Sequence, residues 1–583
     1  MDSPEQRRKR KRFQKTTKFS LLRHFPPVRS LLYCFGFFIS LYLIFRQHTV
    51  SSFHNVVTLS RLSSFSNYQI NPVNFFPKLP QFTIQDRVSF PDHTLLLVSV
   101  DTISPISIDG YRLECVYKSN KSDQGIKLRN VLSLDEYKED SLLRLLVRCP
   151  LSPENFSSPI AVQQKGINNP TRPDTLEHKT LRSWDNLAYE AVLDEKNAIV
   201  FVKGISHRQD KESDPTRFTC HFGLGKYMLS SRAITVAQEV VRCMLPRSML
   251  MHPDKARGVR ATVSYQMPRV HGRGRVPNRV VVPSVAKISV LEPSTRINNK
   301  HELCVCTMLW NQAHSLREWI TYHSWLGVEK WFIYDNNSDD EIKTVVENLD
   351  LEGYNISRRV WPWIKTQEAG FSHCAIRART ECNWVSFMDV DEFYYFPHNP
   401  ISGFPNQGSL RTLVSNFSSS LSIGEIRTSC RSFGPSGLTS RPKQGVTVGY
   451  TCRLKSPERH KSIIRPDALD TTLMNVVHHF HLRKGFTHMD LHQGIAVINH
   501  YKYQVWEVFR AKFHRRVATY VADWTESQNE GSRDRAPGLG TEAIEPPEWR
   551  LQFCEVWDTG LRDFVLANFG DYSSGVLPWD RPM

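Results

Sequence analysis

The sequence lacks paired CxxC motifs, a second long apolar run, and a small-residue cleavage site after its one apolar run. Twelve cysteines are present, but Cys304-Val-Cys306 alone is too sparse for a zinc site. In an oxidising compartment some of these cysteines would pair. Plausible partners within one domain are Cys115, Cys149, Cys220 and Cys243. Their connectivity cannot be read from the spacing.

The apolar run covers residues 30–45 and contains no charge. Residues 1–29 hold ten Lys and Arg, a formal +8 of the net charge of +17. A basic run can mark nucleic-acid binding, but one placed before an apolar run favours a signal anchor with a cytoplasmic N-terminus. Its length is at the short limit for ~30 Å of hydrocarbon. We therefore predict a basic tail at 1–29, a transmembrane anchor at 30–46, a stem at 47–88, and no nucleic-acid partner.

A chain of 583 residues is too long for one core. Short β-type runs between turn residues predict a small all-β module at 89–250, and an Arg/Pro/Gly-rich stretch predicts a linker at 251–300. From 301 to 575, strand-like runs alternate with amphipathic helices, which predicts an α/β domain with a largely parallel sheet. Ligands of such sheets bind at the carboxyl ends of the strands.

One predicted strand ends in Asp389-Val390-Asp391. On an extended segment the two aspartates would point to the same side. Two carboxylates converging at a strand end suit Mn²⁺ or Mg²⁺, which would neutralise a diphosphate. A third ligand could come from a downstream histidine cluster. The candidates are His478, His481 and His500.

Polar residues follow two other strands of the same domain. Asp335 and Asn336 come after one strand and Asn311 after another, where they could bind a nucleotide. The same residues are also good turn and helix-cap formers, so both interpretations stay open. Lys461 is a candidate to pair with a diphosphate.

Three segments together resemble glycosyltransferase family 92: residues 306–338, WVSFMDVDEF at 384–393, and INHY at 498–501. Within that family the whole chain is similar to plant β-1,4-galactan synthases. The resemblance implies a GT-A fold, a UDP-galactose donor, Mn²⁺ and inversion at the anomeric carbon. It also implies a single-pass type II Golgi protein. The implied product is β-1,4-galactan, a side chain of the pectin rhamnogalacturonan I.

The resemblance implies further roles for parts of this chain. Asp389 and Asp391 match the family's metal-binding triplet, and Asp335 falls where the donor nucleotide is held. The 89–250 module would bind carbohydrate. In that module Trp184 and Tyr189 could stack on sugar rings, although core packing is the commoner role of such residues.

An inverting reaction needs one general base, and no motif identifies it. The candidates are Glu392, Glu425, Asp467 and Glu507. Two other functions stay open: a non-catalytic glycan-binding or scaffold protein that keeps the fold, and a family member that uses another donor sugar. The oligomeric state, a homodimer included, is also open.

Overall fold

The computed structural model describes residues 81–101, 112–121, 125–139, 142–166, 180–205, 212–266, 279–291, 300–397, 408–476, 478–513 and 544–580. These belong to one compact unit, Leu79–Met583. The predicted basic tail, the anchor and most of the stem lie outside the described residues. Among the helices that are described, none is both long and apolar enough to cross a membrane.

The first eight strands form two sheets that share a core. The larger sheet has the order β5-β6-β2-β1-β8 and the smaller has the order β4-β3-β7. A disulfide from Cys115 to Cys149 joins β3 to β6 and thus ties the two sheets together. The strands are β1 Gln81–Ser89, β2 His93–Asp101, β3 Leu113–Lys118, β4 Ile126–Asn130, β5 Ser133–Glu139, β6 Leu142–Pro150, β7 Ala161–Gln164 and β8 Arg182–Ser183.

The next nine strands form one sheet, with the order β16-β15-β12-β13-β14-β10-β9-β17 and with β11 beside β13. Its disulfide joins Cys220 of β12 to Cys243 of β14. The strands are β9 Ala188–Asp194, β10 Asn197–Val202, β11 Glu212–Ser213, β12 Phe218–Phe222, β13 Leu229–Ala237, β14 Val240–Met244, β15 Ala261–Gln266, β16 Arg279–Val281 and β17 Ile288–Val290.

The predicted boundaries of the β-rich module differ from the structure at both ends. Strand β1 begins inside the predicted stem, and β15, β16 and β17 lie inside the predicted linker. The linker prediction was wrong for these strands, because Ala261, Val263 and Ile288 are fully buried in the sheet core. The strands are short and lie between Pro- and Arg-rich segments, so the composition of the whole stretch is that of a linker.

The third sheet has the order β20-β19-β18-β21-β25-β23-β29-β22, with β28 beside β23. Its strands and their short neighbours are β18 His301–Leu309, β19 Lys330–Asp335, β20 Ile356–Val360, β21 Cys382–Phe387, β22 Glu392–Tyr395, β23 Ile423–Ser432, β24 Cys452–Arg453, β25 Arg459–Ile464, β26 Asn475–Val476, β27 His479–Phe480, β28 Thr487–Asp490, β29 Val497–His500 and β30 Val556–Trp557. The α-helices whose two ends are both described are Arg247–Leu250, Ala313–Trp325, Ile342–Leu351, Gln367–Glu381, Ser409–Ser418, Val446–Gly449 and Gly560–Phe569. Residues 506–513 are also helical.

The α/β class is confirmed, but a largely parallel sheet is wrong. Strands β20, β19, β18 and β21 are parallel, whereas β25 runs antiparallel to both β21 and β23. Strand β22 is likewise antiparallel to β29. The strands after β21 are joined without regularly alternating helices, which parallel crossovers need. The sheet is mixed.

The chain runs from β18 outward to β19 and β20, and then returns to place β21 on the other side of β18. This reversal of strand order makes the edge after β18 and β21 a topological switch point, where ligands of α/β sheets bind. Two disulfides hold β18 in place there, one from Cys304 to Cys382 and one from Cys306 to Cys374.

The aromatic residues proposed to stack on sugar belong to the packed core. Trp184 and Tyr189 are 3% and 2% exposed. The Trp184 ring stacks on Trp363 at 5.4 Å, and Tyr189 lies 5.2 Å from the same ring. Because Trp363 follows β20, these contacts join the β-rich module to the α/β domain. They leave neither ring open to a glycan.

Ion pairs reinforce that junction. Three arginines of the α/β domain each meet an acid of the β-rich module at 3.3 Å or less. The pairs are Arg358–Asp135, Arg359–Glu190 and Arg379–Asp194. The two parts therefore form one packed structure.

Candidate functional site

The segment Asp389-Val390-Asp391 follows β21 as a tight turn. The Asp389 amide donates to Glu392 Oε2 at 2.9 Å, and the Glu392 amide donates to the Asp389 carbonyl at 3.2 Å. An extended segment was the wrong expectation, because these two hydrogen bonds close the chain on itself. The turn nevertheless leaves both aspartates at the switch point, with Asp389 the more exposed carboxylate.

Each aspartate is paired with its own lysine. Lys461 Nζ lies 3.1 Å from Asp389 Oδ2 and 3.0 Å from Glu392 Oε1. Lys512 Nζ donates to Asp391 Oδ2 from the chain after β29. The candidate Lys461 thus lies at the aspartate turn, in contact with two carboxylates. Lys512 was missed because nothing near it in the sequence marks it as part of the site.

Two of the three candidate histidines reach the same turn. His478 Nε2 lies 3.7 Å from Asp389 Oδ2, and His500 Nε2 lies 3.6 Å from Asp391 Oδ1. His500 is brought there by the pairing of β22 with β29, which places it opposite Glu392. His481 is exposed, and its main chain pairs with Met474 and Asp470 instead.

The charges at the turn are set by burial and by each other. Burial raises the pKa of Asp389, but Lys461 and the nearby histidines outweigh it and hold the pKa below its usual range. Asp391 behaves in the same way, with Lys512 as the main counter-charge. Burial lowers the pKa of His478 and of His500 to about 3, so both imidazoles are neutral at physiological pH. Neutral imidazole is the form that binds metals.

The donor atoms at the turn suit Mn²⁺ in kind. Asp389 and Asp391 supply oxygen, and His478 and His500 supply neutral nitrogen. His478 Nδ1 is buried without a hydrogen-bond partner, so this ring is only partly satisfied by the protein. Within the described ranges, however, no three His, Cys, Asp or Glu side chains already converge as a metal site. The two lysines take the positions beside the carboxylates that a cation would need.

The side chains of the nucleotide-binding candidates Asn311, Asp335 and Asn336 make hydrogen bonds within the turns that follow β18 and β19. Asp335 is 1% exposed, pairs with Arg358 at 2.6 Å and accepts from the Ser338 amide at 3.0 Å. Asn311 Oδ1 accepts from the Asp339 amide, and Asn336 Nδ2 donates to the Trp361 and Trp363 carbonyls. Their side chains thus serve turn structure in this state, the second of the two interpretations that the sequence allowed.

The four base candidates do not share one environment. Glu392 and Glu425 are fully buried; Glu392 faces Lys461, and Glu425 pairs with Arg427 at 2.9 Å. Burial raises the pKa of Glu425, but hydrogen bonds from His479, Arg427 and Ser462 outweigh it and set the pKa at about 2. Asp467 is paired with Arg465 at 3.0 Å. Glu507 is exposed.

Comparison with known proteins gives a consistent picture. A family model described as glycosyltransferase family 92 matches residues 299–538. A glycosyltransferase family 92 protein of Ricinus communis is 50% identical over 593 residues, covering 99% of each chain. One of Arabidopsis thaliana is 52% identical over 510 residues, covering 86% of each chain.

Two more distant similarities were found. A galactan beta-1,4-galactosyltransferase of Arabidopsis thaliana is 26% identical over 110 residues, covering 17% of this chain and 22% of that protein. Among solved structures, GalNAc-T7 with UDP, GalNAc and Mn²⁺ aligns at a TM-score of 0.23 and 11% identity, covering 42% of this chain and 53% of that one.

Proposed function

The chain belongs to glycosyltransferase family 92, and on that premise we propose that it transfers galactose from UDP-galactose to β-1,4-galactan, with inversion and with Mn²⁺. The domain that would do so is a GT-A-type nucleotide-sugar domain, 300–580 in the described structure.

The observation that carries the proposal is the convergence at the switch point. Asp389 and Asp391 meet two lysines and two histidines there, although those partners lie up to 121 residues away in sequence. Such a concentration of cations and carboxylates is what a diphosphate leaving group and its metal require.

The roles follow from the charges. Asp389, Asp391, His478 and His500 would hold the metal, which neutralises charge on the diphosphate when bound. Lys461 is buried and fixed between two carboxylates, so it sets the position of Asp389. Lys512 is more exposed, at 26%, and can turn from Asp391 toward a phosphate oxygen.

Support for galactan as the acceptor is the resemblance of the three segments and the short similarity to a galactan galactosyltransferase. That similarity covers 17% of this chain. A donor screen distinguishes galactosyl transfer from the use of another sugar nucleotide and from a glycan-binding role without catalysis.

We propose that the protein is localised to the Golgi membrane as a single-pass type II protein. Support comes from five disulfides in the described chain, because such bonds persist in oxidising compartments. All four cysteines predicted to pair within the β-rich module do so. The proposed anchor at 30–46 lies outside the described residues.

A donor screen tests the proposal. The full chain is incubated with β-1,4-galacto-oligosaccharides, Mn²⁺ and each of several UDP-sugars, and UDP release and product linkage are measured. Asp391→Asn should lower transfer at least ~100-fold, since transition-state charge stabilisation at a site of this kind is worth that much. Asp254→Asn, at an exposed carboxylate of the β-rich module, is the matched control and should leave transfer unchanged. Galactan binding without UDP release from any donor would favour the scaffold function.

A further inference from the structure

The turn between β13 and β14 of the β-rich module reaches into the α/β domain. It consists of Gln238 and Glu239, because Ala237 pairs with Val240 on either side of it. Gln238 is 8% exposed, and its φ of 51° lies in the left-handed region. Burying an amide is costly unless its polar atoms are hydrogen-bonded. Both polar atoms of the Gln238 side chain find partners across the junction.

Those partners are the main-chain groups of a single residue, Asn475. Gln238 Nε2 donates to the Asn475 carbonyl at 2.5 Å, and Gln238 Oε1 accepts from the Asn475 amide at 3.3 Å. In an antiparallel sheet a neighbouring strand makes the same pair of hydrogen bonds to one residue. The Gln238 side chain thus takes the place of a strand neighbour, and the β-rich module fixes the main chain at Asn475.

Asn475 belongs to a short hairpin that carries a residue of the candidate site. Strands β26 and β27 pair Asn475 with Phe480, and His478 lies in the turn between them. His478 Nε2 lies 3.7 Å from Asp389 Oδ2. The contact with Gln238 is therefore made at the base of the hairpin whose turn reaches the aspartates.

The position of His478 depends on its surroundings. Its φ is 74°, a left-handed conformation that few non-glycine residues adopt. Its Nδ1 is buried and has no hydrogen-bond partner among the described residues, so no such bond orients that side of the ring. The Phe371 ring packs 4.8 Å away. A strained backbone conformation persists only where the surrounding structure holds it. The anchoring of the hairpin base therefore helps to decide where the imidazole lies.

The hairpin base is held from both sides. Arg242 of β14 donates from Nε to the Thr471 carbonyl at 2.8 Å, a second contact from the β-rich module. From the α/β domain, the Glu368 carbonyl and Ser372 Oγ each accept from Asn475 Nδ2 at 3.0 Å. The α/β domain thus holds the Asn475 side chain, whereas the β-rich module holds the Asn475 main chain. Loss of the module's contact alone should loosen the hairpin without unfolding it.

We propose that Gln238 of the β-rich module is a positioning residue for His478 and thereby raises the affinity of the α/β domain for a divalent cation. This inference rests on the proposed function, in which His478 is a metal ligand. The effect passes through the main chain of Asn475, which leads into the turn that carries His478. Outer partners of metal ligands commonly change metal affinity by about 10- to 100-fold.

The test is isothermal titration of the full chain with Mn²⁺ alone. Gln238→Met keeps the length of the side chain but removes both hydrogen bonds, and it should raise the Mn²⁺ dissociation constant about tenfold. Gln238→Asn suits the left-handed φ, but its amide is one methylene shorter, and it should change the constant in the same direction. Glu190→Gln, which weakens the junction pair with Arg359, is the matched control and should leave the constant unchanged. Thermal unfolding shows whether each variant is folded.

A double-mutant cycle with His478→Ala separates positioning from a general loosening of the fold. If Gln238 acts through His478, Gln238→Met should raise the Mn²⁺ dissociation constant less than about twofold in the His478→Ala background. An equal effect of Gln238→Met in both backgrounds would overturn the inference. So would Mn²⁺ binding that is weakened by His478→Ala but not by either substitution of Gln238.

Sugar transfer by wild type tests the proposed function separately. If wild type transfers galactose, transfer by Gln238→Met should recover when the Mn²⁺ concentration is raised in proportion to the weaker binding. If wild type binds Mn²⁺ in a Gln238-dependent way but releases no UDP from any donor, the proposed function fails and the positioning role stands. If wild type binds no Mn²⁺, the metal assignment and this inference both fail.

Discussion

In the ion pair between Lys461 and Asp389 the lysine is the more buried partner, whereas lysines in surface ion pairs are usually exposed. The Lys461 side chain is 7% exposed and that of Asp389 is 35% exposed, at a separation of 3.1 Å. Burial lowers the pKa of Lys461, yet Asp389 and Glu392 outweigh burial and hold the pKa above its usual range. The site therefore has a permanent positive charge beneath its exposed aspartate.

Replacing that charge should destabilise the protein. Lys461→Met leaves two carboxylates facing each other, and removing one partner of a buried pair costs about 3–5 kcal/mol. We expect denaturant unfolding to show a loss of this order. Added Mn²⁺ should restore part of it. Lys330→Met, which breaks the partly buried pair with Glu381, is the control whose loss Mn²⁺ should not restore. A Lys461→Met protein as stable as wild type would contradict the claim that the buried Lys461 ammonium stabilises the fold.

Lys512 should compete with the metal. Its ammonium donates to Asp391, so Lys512→Met frees a carboxylate oxygen for a divalent cation. Loss of a competitor worth about 1 kcal/mol corresponds to a roughly fivefold tighter Mn²⁺ dissociation constant. Isothermal titration with Mn²⁺ alone measures it, again beside Lys330→Met. Unchanged or weaker Mn²⁺ binding would show that Asp391 is not a metal ligand.

Glu318 should make stability depend on pH. It is 4% exposed and accepts hydrogen bonds from the Val446 and Thr447 amides. Burial raises its pKa to about 7, above the ordinary glutamate value of 4.5, although the Thr447 and Val446 hydrogen bonds lower it. The folded protein thus favours the protonated form. The resulting stability is fully present below pH ~4.5 and is lost as pH rises through about 7, to the extent of about 3 kcal/mol.

The measurement is denaturant unfolding of wild type and Glu318→Gln between pH 5 and pH 8. The variant loses one hydrogen-bond acceptor and should be less stable at pH 5, but its stability should fall less with rising pH. Parallel curves for the two proteins would show that Glu318 stays ionised throughout.

The disulfide from Cys304 to Cys382 should support the site as well as the fold. It closes a loop of 78 residues between β18 and the start of β21, the strands on either side of the switch point. Replacing both cysteines with serine should cost about 4 kcal/mol and weaken Mn²⁺ binding. The same replacement at Cys115 and Cys149 should cost a similar amount and leave Mn²⁺ binding unchanged. If both variants changed Mn²⁺ binding equally, the disulfide from Cys304 to Cys382 would have no specific role in supporting the site.

Local pattern predicted the parts of the α/β domain that depend on short-range order. The predicted alternation of strands and helices is present from β18 to β21, and the helix Ala313–Trp325 ends before Gly327, whose φ of 101° only glycine adopts readily. A serine shortly before a helix is a common cap, but the Ser338 hydroxyl accepts from the Asn311 amide and does not cap the next helix, which begins at Ile342.

Contacts between residues far apart in the sequence could not be predicted from local sequence patterns. His500 joins the site because β29 pairs with β22, and Lys512 joins it across 121 residues. No local period encodes such register, so the aspartate triplet could be found from the sequence whereas its long-range partners could not.

The junction between the β-rich module and the α/β domain limits how this enzyme can be re-engineered. Trp363 would lose its stacking partner, and Arg358, Arg359 and Arg379 would lose counter-charges, if the module were removed. The β-rich module therefore cannot be exchanged independently of the α/β domain. A chimera between relatives should exchange residues 81–290 only together with their arginine partners, or retain Asp135, Glu190 and Asp194 in the incoming sequence.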